Sequence, residues 1–227
     1  MKNMKGKFIV IDGTNGSGKT EQTKLLVERM RSGRLPIETV SFPRYEKRSG
    51  GPVAEYLDHA SEFGPMDEVG PKRASMLFAV DRYAASRAIR ATLDAGTHVV
   101  ANRYVASNMG HQGAQIADPQ ERAEFFRWND ELEHGFFGIP RPDLNVILHV
   151  PAEVTMELID KRGNAKDQHE NLAHQKAAEA TYLEMARTFP NFVLIECVRN
   201  EELLSIPDIH ALVWKQVEHA LALHPAP

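Results

Sequence analysis

One glycine-rich stretch near the N-terminus constrains the fold of this chain more than anything else in it. Gly13-Thr14-Asn15-Gly16-Ser17-Gly18-Lys19-Thr20 fits the pattern G-x-x-x-x-G-K-[ST] in full. The apolar run Phe8-Ile9-Val10-Ile11 before it reads as a buried strand, and Leu25, Leu26 and Met30 after it mark an amphipathic helix. Between a strand and a helix, such glycines let successive backbone N–H groups turn inward toward phosphate oxygens. The first turn of the helix adds the positive end of its dipole. Lys19 is then placed to reach β- and γ-phosphates, and the Thr20 hydroxyl to ligate Mg²⁺. The motif predicts a nucleoside triphosphate site over residues 13–20.

The rest of the chain supplies the matching scaffold. Short apolar runs at 7–12, 37–42, 98–101, 144–150 and 192–196 are rich in Val, Ile, Leu or Phe and read as strands buried on both faces. Helix patterns lie between and after them, at 20–31, 72–95, 121–133, 152–161, 171–188 and 208–223. Strands alternating with helical crossovers predict an α/β, doubly wound domain with a parallel sheet. A single domain over residues 1–227 fits the length. The segment 160–176 departs in texture, being polar and charged around Gly163. It is either a solvated loop leading into a helix or a flap over a site.

Composition narrows the partners. Lys+Arg 27 against Asp+Glu 31 leaves a net charge of −4, which argues against a chain that grips nucleic acid polymers or anionic membranes by bulk charge. A single cysteine, Cys197, excludes internal disulfides and thiolate zinc clusters. No run approaches the length of a membrane span, and the apolar run at 8–11 is short for a secretory leader. The expectation is a soluble, cytoplasmic protein. His169 and His174, like His219 and His224, are five apart without cysteine or carboxylate partners, and read as surface residues.

Ligands in open α/β sheets sit at the carboxyl ends of the strands, and polar, aromatic and cationic residues gather there. The second strand ends in Phe42-Pro43-Arg44-Tyr45, the third in Asn102-Arg103-Tyr104, followed by Ser107-Asn108 and Gln112. Phe78 and Arg82 lie four apart on one helix and share a face. A ring beside a guanidinium suits a nucleoside monophosphate, with the ring on the base and Arg82 and Arg103 on phosphate oxygens. Asn108 and Gln112 are placed to read a base edge. Taken singly, Phe78 also fits a core position, and either arginine fits a surface ion pair.

Together, the phosphate loop, Phe42-Pro43-Arg44-Tyr45, Leu77-Phe78-Ala79-Val80-Asp81-Arg82, Asn102-Arg103-Tyr104 and Pro142-Asp143-Leu144 resemble thymidylate kinases, in order and spacing, from residue 7 to about 196. The resemblance implies a five-stranded parallel sheet of the P-loop NTPase type, a homodimer, and transfer of the γ-phosphoryl group of ATP to dTMP with Mg²⁺. It implies that Phe78 stacks on thymine and that Arg82 reads the base edge or holds the phosphate. Arg103 contacts the acceptor phosphate, Asn108 and Gln112 read the base, and Phe42, Arg44 and Tyr45 line the site. It also makes 160–176 a lid, and it places Cys197 near adenine.

Three departures from the family pattern matter. Asn15 and Asn102 stand where the family carries acids, so the site has lost negative charge near the metal. Asp12 and Asp81 are the carboxylates left to support Mg²⁺. The loop positions Thr14 to Ser17 carry no cation, which leaves Arg162 of the lid to meet charge on the transferred phosphoryl, with Lys19 and Arg103 as the other catalytic cations. The rival readings are a deoxynucleoside or other nucleoside monophosphate kinase, and a nucleotide-binding regulator that has lost catalysis.

Overall fold

The computed structural model describes residues 5–58, 60–162, 169 and 171–221, with only the backbone of Arg162. Its frame is a five-stranded parallel sheet in the order β2-β3-β1-β4-β5. The strands are β1 (Phe8–Gly13), β2 (Ile37–Ser41), β3 (His98–Asn102), β4 (Leu144–His149) and β5 (Phe192–Glu196). All five expected strands are present, with every end within a residue of its expected place. The sheet register sets Ile11 beside Asn102 and Gly13 beside Leu148, so the phosphate loop leaves the sheet next to the ends of β3 and β4.

Alternation along β1 builds both layers. Phe8 and Val10 face one core with Ala85, Ile89, Phe125 and Met185, while Ile9 and Ile11 face the other with Leu26, Met30, Val213 and Val217. The second layer is made by α1 (Lys19–Ser32) and α9 (Ile206–Ala220). The first is made by α4 (Pro71–Asp94), α5 (Val105–Gly113), α6 (Pro119–Asp130) and α8 (Leu172–Thr188). One expectation needs correcting. The outer strands are not buried on both faces: β2 exposes Glu38, Thr39 and Ser41, and β5 is only half-buried. Each pairs along one side, and a charged, exposed edge discourages pairing with another chain.

Two further elements, the helix α5 and a π-helical turn after α6, lie outside what hydrophobic period predicted. The helix α5 contains Ser107, Asn108, Gly110 and Gly113, all poor helix formers, yet every residue of it is buried. Packing against α8 and β1, not propensity, holds it. The helix α6 is capped by Asp118, whose carboxylate accepts from the backbone of Gln120 and Glu121, and it passes into a π-helical turn over Glu131–Phe136. That wider turn carries Glu133 inward. Short helices α2 (Gly51–Leu57) and α3 (Met66–Val69) bridge β2 to α4. The helix α7 (Ala152–Arg162) precedes the lid segment, and a small hairpin of β6 (Val198–Arg199) and β7 (Glu202–Leu203) follows β5.

Candidate active site

The phosphate loop joins β1 to α1 with the backbone its glycines were expected to permit. Gly16 and Gly18 adopt φ of 80° and 84°, a region L-residues rarely enter. A Cβ on Gly16 would lie 2.8 Å from the Thr155 carbonyl oxygen, so α7 packs directly on the loop. Lys19 is buried, and its Nζ donates to the Thr14 carbonyl at 2.6 Å, across the mouth of the loop. Thr20 is exposed and meets Asn102, whose Nδ2 lies 3.4 Å from Thr20 Oγ1. Asn15, Gly16, Gly18, Lys19, Thr20 and Asn102 line an open cleft of about 1130 Å³.

A second cleft of about 470 Å³ abuts the first, a size suited to a small polar ligand, for which roughly 300–1,000 Å³ is usual. Phe42, Tyr45, Phe78, Arg82, Arg103 and Gln112 line it, as expected from sequence. Asn15 and Arg103 line both clefts. Arg103 has φ of 65°, unusual for a side-chain-bearing residue at a strand end. Its backbone is held there by donation to the Ile11 carbonyl at 3.0 Å. Its guanidinium donates to Asn15 Oδ1 and, at 3.2 Å, to Ser107 Oγ.

Two residues expected in the acceptor cleft are turned away from it. Arg44 donates through Nε to Asp81 at 3.0 Å and through Nη2 to the Asp81 carbonyl at 2.7 Å, and it is absent from the lining. Asp81 also accepts from Ser49 and from the Arg44 backbone, and it is buried outside the lining of both clefts, so it is not placed to ligate a metal beside Thr20. Asn108 is buried beneath the cleft, donating to Ser75, Asn129 and Glu133. It supports the site instead of reading a base. Asp12 is likewise committed: Gly13 N–H, Ser107 Oγ, Tyr182 Oη and Tyr104 N–H all donate to it.

Arg82 does face the cleft, but its Nε and Nη2 each donate to Glu133 at 2.5 Å. The pair is 2% and 0% exposed. Gln112 Oε1 accepts from Tyr56 and Gln115, while its Nε2 is buried with no partner among the described residues. An unspent amide donor in the wall of a cleft is ready for a ligand carbonyl. Burial pushes the Tyr56 phenol up to about 12, so it remains a neutral donor.

The lid segment falls partly outside the described residues, as does the Arg162 side chain. His169 and His174 are corrected from surface to buried residues, and His169 joins His111 in the cleft wall. Burial foremost, with neighbouring histidines and Arg103, lowers His111 and His169 well below the ordinary imidazole value. Burial lowers His174 to about 4. Sequence reasoning missed His111, Glu133 and Tyr182. His111 stands beside Gln112 and was open to notice; nothing local marked the other two. Cys197 is buried, and burial pushes its thiol up to about 12, the environment of a packing residue.

A profile of the thymidylate kinase family matches residues 11–205. The chain belongs to the thymidylate kinase family. It is similar to a probable thymidylate kinase of Pyrococcus horikoshii, 28% identical with 96% of this chain and 98% of that protein covered. It is 30% identical to the thymidylate kinase of Mycobacterium tuberculosis, over 79% of this chain and 85% of that one. Among solved structures, the thymidylate kinase of Candida albicans superposes with a TM-score of 0.76 at 20% identity, covering 95% of this chain and 92% of that one, a likeness of fold.

Proposed function

We propose that this chain transfers the γ-phosphoryl group of ATP to dTMP, giving dTDP and ADP. The observation that carries the reading is the meeting of two clefts at Asn15 and Arg103, one with the phosphate loop and one with an aromatic, amide-lined pocket. An oxygen of the acceptor phosphate attacks the γ-phosphorus, and the bond to the β–γ bridging oxygen breaks. Little covalent chemistry falls to the protein, which orients the reactants and stabilises charge. The loop amides and Lys19 hold the donor phosphates. Arg103 contacts the acceptor phosphate at the junction. Phe78 stacks on the base, and Gln112 Nε2 donates to a base carbonyl.

The residues present fit Mg²⁺. Thr20 Oγ1 is exposed at the cleft, and Asn102 Oδ1 beside it is buried with no hydrogen-bond partner among the described residues. These are hard oxygen donors of the kind Mg²⁺ prefers, and it keeps its remaining sites for water and phosphate. Bound there, the ion would offset negative charge on the nucleotide. Arg162, at the end of α7, is assigned as the lid arginine, and Arg162→Ala should lower kcat about 10³-fold. A loss under tenfold with unchanged KM refutes that role.

The same proposal includes a homodimer and a cytoplasmic setting. Supporting the dimer, Met76, Val80 and Tyr83 are exposed at helical spacing along α4, with exposed Phe136 nearby. Among the described residues no helix is long and apolar enough to cross a membrane. To test the activity, purified protein with ATP and Mg²⁺ is given dTMP, dUMP, dCMP, dGMP or thymidine while ADP release is followed. Preference for dTMP is expected. Turnover of thymidine alone would make the chain a nucleoside kinase, and nucleotide binding without turnover a regulator.

A further inference from the structure

Behind Arg103 lie three buried histidines from different segments: His111 in α5, His169 ahead of α8, and His174 in the first turn of α8. Their ring nitrogens lie within 4.8 Å of one another, close enough to raise the question of a metal. The geometry answers it. His111 Nδ1 and His174 Nε2 are 3.2 Å apart. The ring centroids are 5.5 Å apart with planes 6° from parallel, so the two rings lie edge to edge with those nitrogens facing each other in line. A proton fills such a gap. An ion about 2.0–2.1 Å from each nitrogen would sit off that line, away from the direction in which both nitrogens point.

The direction of that proton is set from the far side. Arg103 Nη1 lies 3.3 Å from His111 Nε2, and a guanidinium only donates. His111 Nε2 must therefore accept, which leaves its single proton on Nδ1. Nδ1 then donates to His174 Nε2, and His174 carries its own proton on Nδ1. Burial keeps all three rings neutral near pH 7, as this arrangement requires. His174 does not line the acceptor cleft, whereas His111 and His169 do. Its backbone is fixed by donation to Asn171 Oδ1 at 2.9 Å, and its ring lies parallel to that of His169, with centroids 4.6 Å apart.

We infer that His174 is a positioning residue: by accepting from His111 it fixes the tautomer that lets His111 hold the guanidinium of Arg103 toward the acceptor phosphate. The inference rests on the assignment of Arg103 to that phosphate. It ties the start of α8 to the cation at the junction of the two clefts.

Two substitutions separate this role from packing. His174→Gln keeps an acceptor for His111 and loses the ring; His174→Phe keeps a ring against His169 and loses the acceptor. With Phe, kcat/KM for dTMP should fall about tenfold, the usual cost of one hydrogen bond in a chain ending on a charged group. The KM for ATP should stay within twofold, and Gln should retain most of the wild-type value. The opposite ranking, Phe active and Gln impaired, overturns the inference in favour of packing. A second measurement needs neither turnover nor a variant: ¹⁵N–¹H spectra of imidazoles in the unliganded wild-type protein. His111 protonated on Nδ1 supports the relay, and His111 protonated on Nε2 overturns it whatever the enzyme phosphorylates. Binding of one equivalent of Co²⁺ by untagged protein, abolished in His174→Phe but not in His219→Ala, overturns it in favour of a metal site.

Discussion

Removing the carboxylate of Glu133 is the sharpest test of how this site is held together. Its two oxygens face Arg82 in a bidentate pair at 2.5 Å, with Asn108 donating at 3.0 Å and Asn129 at 3.5 Å. Both charged side chains are essentially sealed from water. Glu133→Ala leaves a guanidinium buried without its counter-ion, a change that costs roughly 3–5 kcal/mol. For a chain of this size each kcal/mol moves Tm by about 2–4 °C, so the midpoint should fall by roughly 6–20 °C. Thermal unfolding followed by circular dichroism reads it directly. The double variant Arg82→Met/Glu133→Leu fills the same space without charge, and replacing a buried pair by apolar groups is often neutral or stabilising. It should recover most of the lost stability. Its KM for dTMP should nevertheless stay raised about tenfold or more, because the donor at the cleft wall is gone. A Tm for Glu133→Ala within 2 °C of wild type, at about 2–4 °C per kcal/mol, would refute the account of the pair as an obligatory buried unit.

Three further expectations follow from other parts of the molecule. Asn102→Asp restores a carboxylate beside Thr20 and should lower the Mg²⁺ concentration for half-maximal activity by about threefold or more, since ligand charge tunes affinity for hard cations; an unchanged Mg²⁺ titration counts against Asn102 as part of the ion site. At His149 burial opposes protonation, but hydrogen bonds to Glu179 at 2.8 Å and Glu196 at 2.5 Å outweigh it and raise the pKa. The stability this contributes is full below the unfolded value of about 6.5 and is lost as pH rises through the raised folded value. The gap in unfolding free energy between wild type and His149→Asn should therefore be widest in mild acid and shrink toward alkaline pH, and a gap that widens upward contradicts the assignment. Val80→Glu places charge in the exposed apolar stripe of α4 and should convert a dimer to monomer in light scattering; an unchanged mass removes α4 from the interface.

What the sequence made legible was whatever depends on local pattern. The phosphate loop needs glycines at fixed spacing between a strand and a helix, and residues 13–20 carry that requirement in the open. Phe42, Phe78, Arg103 and Gln112 sit at strand ends or on one helix face, so topology alone gathers them. The failures share a cause. Arg44 and Asn108 have the right chemistry in the right neighbourhood, but their partners, Asp81 and Glu133, come from elements distant in sequence and decide which way each side chain turns. Glu133 is delivered by a π-helical turn that no periodicity announces. His174 is buried because α8 folds back over α5, a contact that spacing within α8 cannot reveal.

That asparagines and not acids stand at positions 15 and 102 takes on a different meaning once these partners are known. Asn15 and Asn102 make the phosphate-facing wall neutral, while the carboxylates near the clefts point into the protein. Asp12 takes four donors, Asp81 takes Arg44 and Ser49, and Glu133 takes Arg82 with two asparagines. Each is spent on hydrogen bonds within the protein, and none lines either cleft where it would repel a phosphate. Among the described residues, Glu21 is the one acid that lines either cleft, at the outer rim beside Thr20. A chain with a net charge of −4 thus keeps a locally cationic seam at Lys19 and Arg103 by burying its acids behind the cations. Charge on the transferred phosphoryl group then meets fixed, preoriented donors in a partly desolvated cleft, where such donors act most strongly.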